Sequence, residues 1–165
     1  MMQTAVGETH VQFPVGSLPE RPGPEAIQSY LVDQGRLRAS DLERVQRLAA
    51  DKGEGWAELA TRLGLISERD LAQALATVLE LPLVGTDDYP KVAEFPDLLP
   101  LRFLKDSHLL PLFEEEDRLV VVMADPLDEF ARNAVEIAIG QPVAPRIGVA
   151  SEIDAAIERL YGAGR

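Results

Sequence analysis

A short pattern that occurs twice constrains the first half of this chain more than any other feature. Residues 31–37 read LVDQGRL before Ser-Asp-Leu at 40–42, and residues 60–66 read ATRLGLI before Arg-Asp-Leu at 69–71. Each copy carries a glycine, Gly35 or Gly64, and the two are 29 positions apart. Because glycine suits the left-handed residue that closes a helix, each copy predicts a helix end, a turn and a new helix.

The residues after each glycine predict how the next helix begins. Ser67 precedes Asp70 by three positions, and Ser40 precedes Glu43 by three. A hydroxyl three residues before a carboxylate is the arrangement of a helix N-cap with a capping box. Both serines are therefore expected to cap helices.

Apolar residues at spacings of three and four predict four short helices between Pro24 and Pro82. Trp56 is expected to lie in the core that these helices form. Since no one of them can bury its apolar face alone, the four helices should pack as two hairpins in one compact layer.

The pattern changes after Pro82 to strand, short helix, strand, strand, helix, strand, helix. The clearest strand is 118–123, and the acidic run 114–117 before it is expected to form a hairpin turn. Asp125, just after that strand, is expected to cap the next helix. The predicted fold class is α+β, a small duplicated helical-hairpin subdomain followed by an α/β sandwich of three to four strands and two to three helices.

Four segments follow from this pattern. Residues 1–23 are rich in proline and are expected to be a disordered leader, residues 24–82 a helical subdomain and residues 83–162 an α+β subdomain. Residues 163–165 are expected to begin a linker. A hinge is predicted near 79–84, because Pro82 breaks the fourth helix there.

Composition excludes several classes of function. A formal net charge of −12 disfavours binding to nucleic acid or to an anionic membrane surface. The absence of cysteine excludes disulfides and thiolate zinc sites, and no apolar run is long enough to span a membrane. A cytoplasmic protein is expected.

Five basic residues cluster locally in this acidic chain. They form either a solvated helix face or a docking face for an acidic partner: Arg36, Arg38, Arg44, Arg47 and Lys52.

The motifs of nucleotide-binding and hydrolytic enzymes are missing. The sequence contains neither a P-loop nor G-x-G-x-x-G, and its two histidines, His10 and His108, lie far apart. No catalytic residue, cofactor-binding residue or metal ligand is therefore predicted, and this segment is not expected to be an enzyme.

An ordered set of short motifs nevertheless resembles a known family. It includes Leu99-Pro100, the strand Arg118-Leu119-Val120-Val121, Ala124-Asp125-Pro126, and Ile157-Glu158-Arg159-Leu160-Tyr161-Gly162, preceded by the repeat around Gly64. Together they resemble the N-terminal domain of bacterial type II secretion ATPases, the general secretory pathway protein E family. Pilus-assembly ATPases carry a related domain.

The resemblance implies a docking domain of a longer ATPase. In that family the domain binds the cytoplasmic domain of an inner-membrane component, the L protein. The contact places the protein at the periphery of the inner membrane and couples a hexameric motor to pseudopilus assembly and protein export. The ATPase core, with its ATP and Mg²⁺, is expected downstream of this segment.

Six residues are predicted to contact the partner. Arginine and tyrosine are common interface anchors, and apolar neighbours would complete the contact. The predicted set lies on the first two helices: Ile27, Tyr30, Leu31, Arg44, Arg47 and Leu48. Burial in the helical core explains its apolar members equally well.

An alternative function is the sensing of cyclic di-GMP, which some relatives bind through two tandem motifs. Those motifs start with Arg/Lys-Leu-Gly, pass a glycine and end near a glutamine. This sequence keeps the middle glycines, Gly35 and Gly64, but the opening positions read Ala26-Ile27-Gln28 and Gly55-Trp56-Ala57, and the closing positions are Ala49 and Val78. The duplication persists while the expected ligand-binding groups are absent.

Overall fold

The computed structural model describes residues 22–162. The predicted linker at 163–165, and the predicted leader except for its last two residues, lie outside the described part of the chain. Two layers follow, which we call the helical layer (residues 24–82) and the α/β unit (residues 83–162).

The helical layer contains the four predicted helices. Its elements are α1 (Pro24–Asp33), α2 (Ala39–Lys52), α3 (Trp56–Arg62) and α4 (Glu68–Leu79). Helix α1 packs along α4 and helix α2 along α3. Side chains from all four helices form one apolar core, in which Leu31, Val45 and Ala60 are fully buried. Trp56 packs against the edge of this core and is only partly buried.

The duplicated pattern forms two copies of the same turn. Gly35 has a φ of +73° and Gly64 a φ of +77°, as predicted for left-handed closing residues. The amide three positions after each helix donates a hydrogen bond back to the last turn in the same way: Arg36 N donates to Leu31 O and Leu65 N to Ala60 O, both at 2.9 Å. Leu37 and Ile66 then bury their side chains in the core.

Only one of the two predicted serine caps forms. The hydroxyl of Ser67 accepts a hydrogen bond from Asp70 N at 3.0 Å, at the start of α4. Helix α2 instead begins at Ala39, with Arg38 at the N-cap position and no side-chain cap. The prediction was therefore wrong for Ser40, which lies inside the first turn and not at the N-cap position.

This difference provides a matched pair of substitutions. Ser67→Ala removes the hydrogen bond to Asp70 N and is expected to lower the free energy of unfolding by about 1 kcal/mol. Ser40→Ala changes an exposed residue that caps nothing, and its effect should stay within about 0.5 kcal/mol. Urea denaturation of the two variants measures both values, and equal losses would contradict the assignment of the cap.

The α/β unit combines three helices with a three-stranded sheet. Its elements are α5 (Leu101–Ser107), β1 (Leu109–Glu115), β2 (Arg118–Met123), α6 (Glu129–Ile139), β3 (Val143–Ile147) and α7 (Ala150–Ile157), followed by a π-helical turn at Glu158–Gly162. The predicted α+β class is confirmed.

The cap of α6 differs from the predicted one. Asp125 accepts a hydrogen bond from Leu127 N at 3.0 Å, whereas Asp128 caps α6 by accepting from Ala131 N. The predicted cap was therefore wrong by three residues.

The sheet has the strand order β1-β2-β3. Strands β1 and β2 are antiparallel and β2 and β3 are parallel, with α6 as the crossover. The acidic run forms the predicted hairpin turn, in which Glu116 and Asp117 both have positive φ, at 51° and 64°. Two consecutive positive φ values match the twist of a tight hairpin.

The segment around Pro82 is hydrogen-bonded to the sheet. Ile147 N donates to Pro82 O and Val84 N donates to Ile147 O, both at 2.8 Å. The predicted strand at 83–84 is reduced to a single bridge between Leu83 and Ile147. Any hinge motion at Pro82 therefore has to break these two hydrogen bonds.

Candidate functional site

The predicted partner-binding residues do not form one exposed surface. Ile27 is 1% exposed and Leu31 is 0% exposed. Both pack in the core of the helical layer, where they contact other apolar side chains and not solvent. For these two residues the structure agrees with the alternative, burial in the helical core, because α1 uses that face to pack on α4.

The other four predicted residues remain accessible in part. Arg44 and Arg47 are exposed on α2, and Arg44 pairs with Asp41 at 3.1 Å. Tyr30 and Leu48 are half-buried at the edge of the core. The α2 face that remains is small, and it is basic at Arg44 and Arg47.

A larger apolar surface lies on α6. Phe130 is 80% exposed and Ile137 is 84% exposed, although Ala131 and Val135 of the same helix are fully buried. The sequence pattern predicted a helix in this segment but did not predict this second surface. The available signal was the width of the apolar sector, since Phe130 and Ile137 lie seven residues apart on the flank away from Val135.

A cleft of about 400 Å³ separates the helical layer from the α/β unit. Its helical wall includes Trp56, Glu58 and Leu71, and its opposite wall includes His108 and Asp154. The Nδ1 atom of His108 lies 2.8 Å from Oδ1 of Asp154, and its Nε2 atom lies 3.7 Å from Oε2 of Glu58. His108 therefore links α7 to α3 across the base of the cleft.

The cleft is strongly acidic. Six carboxylates line it: Glu58, Glu68, Asp106, Asp125, Asp128 and Asp154. Although Asp125 is exposed at the surface, desolvation by the surrounding protein raises the pKa of its carboxyl, and the charge of Asp128 adds to the effect. The hydrogen bond from Leu127 N opposes it. Among the basic side chains at the cleft, Arg62 is paired with Glu54 at 2.7 Å.

Polar contacts at one corner hold the two layers together. Glu68 of α4 accepts a hydrogen bond from Ser151 N at 3.0 Å and so caps the first turn of α7. Arg69 forms an ion pair with Glu152 at 2.6 Å. Ile147 and Val149, just before α7, pack into the core of the helical layer. The corner formed by β3 and α7 is thus part of both layers.

Residues 22–162 contain neither a cluster of metal ligands nor a membrane-spanning helix. No three side chains of the His, Cys, Asp and Glu types are grouped there so that they would hold a metal ion. No helix in the same range is long and apolar enough to cross a membrane.

Comparison with known proteins adds close relatives. The chain is 43% identical to the type II secretion system protein E of Xanthomonas campestris pv. campestris over 150 residues, which cover 88% of this chain and 26% of that protein. The chain thus matches about a quarter of that relative's length. The N-terminal domain of XpsE has a TM-score of 0.78 at 40% identity, over 88% of this chain and 100% of that structure.

More distant proteins share the fold. A structure described as MshE with cdg has a TM-score of 0.63 at 23% identity, over 82% of this chain and 98% of that one. The MshEN domain family matches residues 79–165, which are 87 of the 165 residues. The chain therefore belongs to the MshEN domain family, and the predicted resemblance to the N-terminal domains of type II secretion ATPases is confirmed.

Proposed function

We propose that this domain docks a type II secretion ATPase onto the cytoplasmic domain of the inner-membrane L component. The similarity that spans the whole N-terminal domain of XpsE carries the proposal. Under this proposal, the full-length protein also contains an ATPase core that binds ATP and Mg²⁺ and forms the hexamer. The domain reaches the inner membrane through its partner, and the contact couples the motor to pseudopilus assembly and export.

The exposed α2 face supports a contact with an acidic or mixed surface. Arg44 and Arg47 supply positive charge on α2. The half-buried Leu48 of α2 and Tyr30 of α1 supply apolar area. Interface arginines guide association and improve charge complementarity, and their effect weakens as salt rises. Ile27 and Leu31 act in this proposal only by holding α1 in place.

Titration of the 165-residue chain with the purified cytoplasmic domain of the L component tests the proposal. We expect binding with a Kd in the micromolar range or tighter, weakened several-fold in the double variant Arg44→Glu/Arg47→Glu. Arg102→Glu is the matched control, because Arg102 is 91% exposed on α5, in the other layer. A titration that shows no complex would contradict docking, and equal binding by both variants would exclude the α2 face.

Cyclic di-GMP sensing is the second candidate, because Gly55, Trp56 and Ala57, the opening residues of the second repeat, line the acidic cleft. The six carboxylates of that cleft repel the phosphodiesters of such a ligand. Trp56 is the single tryptophan of the chain, so its fluorescence reports binding directly in a parallel titration. We expect a flat response, and a saturable one would reverse the order of the two candidates.

A further inference from the structure

An apolar stripe on α6 is left uncovered by the described part of the chain. Phe130, Ala134 and Ile137 follow one another at spacings of four and three, which places them on one face of the helix. The side chains at the two ends are 80% and 84% exposed. Exposed apolar patches on soluble domains commonly mark interaction sites.

The shape of the stripe suits a second helix. Phe130 and Ile137 lie about 10 Å apart along the helix axis, given a rise of about 1.5 Å per residue. Ala134, between them, has a small side chain and leaves a shallow gap that a side chain from another helix can enter. Anchors at spacings of three, four and seven residues are typical of helices that bind along such a surface.

The charge around the stripe selects the partner. At the C-terminal end of α6, the amide of Gln141 donates to Glu114, and the acidic turn 114–117 lies beside Ile139 and Gly140. At the N-terminal end the N-cap Asp128 and the exposed Glu129 are both acidic, and one arginine, Arg132, pairs with Glu129 at 3.9 Å. Both ends of α6 therefore carry an excess of acidic side chains.

We propose that the α6 stripe binds an amphipathic helix of a partner protein that carries lysine or arginine beside its apolar face. Apolar contact with Phe130 and Ile137 would supply affinity, and the acidic groups at the two ends of α6 would select basic partners. The inference does not depend on the L component being that partner. A second copy of this chain is a poor occupant, because its α6 has the same acidic ends.

A designed 18-residue peptide of leucine and lysine, patterned as an amphipathic helix and labelled for fluorescence anisotropy, tests the apolar part. We expect saturable binding to the 165-residue chain that weakens at least about tenfold in Phe130→Ser/Ile137→Ser. Val92→Ser is the matched control, since Val92 is 74% exposed outside α6 and its loss should leave the Kd unchanged. No saturable binding, or equal binding by the α6 variant, overturns the proposal.

The same anisotropy titration tests whether acidic side chains select basic partners. Glu115→Lys/Glu116→Lys should weaken binding several-fold at low salt, and the difference should shrink as salt rises. A leucine–glutamate peptide of the same pattern should bind at least about tenfold more weakly, and equal binding by it would overturn the selection for basic partners. Analytical ultracentrifugation of the wild type tests whether a second copy of this chain covers the stripe. A dimer that is lost in Phe130→Ser/Ile137→Ser would assign the stripe to self-association and overturn the proposal.

Discussion

Leu31→Ala is expected to lower the free energy of unfolding by about 2–5 kcal/mol. The Leu31 side chain is fully buried between the helices of the helical layer, and its removal leaves a cavity that the neighbouring side chains can fill only in part. Chemical denaturation followed by circular dichroism measures the loss.

Leu63→Ala is the matched control for that substitution. Leu63 lies at the second copy of the turn and is 49% exposed, so the same chemical change should cost less than about 1 kcal/mol. If the folded Leu31→Ala variant lost affinity for the L component while its stability stayed near that of the wild type, the assignment of Leu31 to the core would be wrong.

Gly148→Ala is expected to destabilise the protein by about 1–3 kcal/mol through overpacking. A Cβ atom at this position would overlap Cγ2 of Val122 and come within 3.1 Å of Ile153 Cδ1 and of Tyr89 Oη. Val122 is fully buried in the central strand and, as a β-branched residue, has little freedom to rotate away.

Gly55→Ala controls for the loss of glycine as such. A Cβ atom on Gly55 would have no neighbour within 4 Å, and the backbone there has a φ of −73° that alanine adopts readily. Thermal denaturation should therefore show a large decrease in Tm for Gly148→Ala and little change for Gly55→Ala. Chain entropy alone would raise the Tm of both variants, so similar decreases would mean that overlap with Val122 does not set the effect.

Local chemistry was enough to predict much of the fold. The left-handed conformation at Gly35 and Gly64 follows from a steric requirement that acts within one turn of chain. The strand 118–123 and the acidic turn before it follow from β-propensity and turn chemistry in the same local way. Ser40 shows the limit, because the same serine–acid spacing as in Ser67 occurs one residue after the helix has already begun.

The candidate sites depend on contacts between distant parts of the chain, and the sequence pattern does not encode them directly. Glu68 and Ser151, whose contact joins the two layers, are 83 positions apart. On α6, Phe130 and Val135 are equally apolar, and only the position of the sheet decides which of them is buried. The same dependence decides that the side chains of Ile27 and Leu31 are buried, a choice that the sequence pattern left open.

The corner where β3 meets α7 limits how this domain can be divided between relatives. Ile147 ends β3 and Val149 precedes α7, yet both pack with the helices of the other layer. Glu68 and Arg69 contact Ser151 and Glu152 across the boundary. A chimaera joined at Pro82 would therefore place foreign helices against a native corner that does not match them. Residues of α4 and residues 147–152 must be inherited together, so the natural unit of exchange is both layers at once.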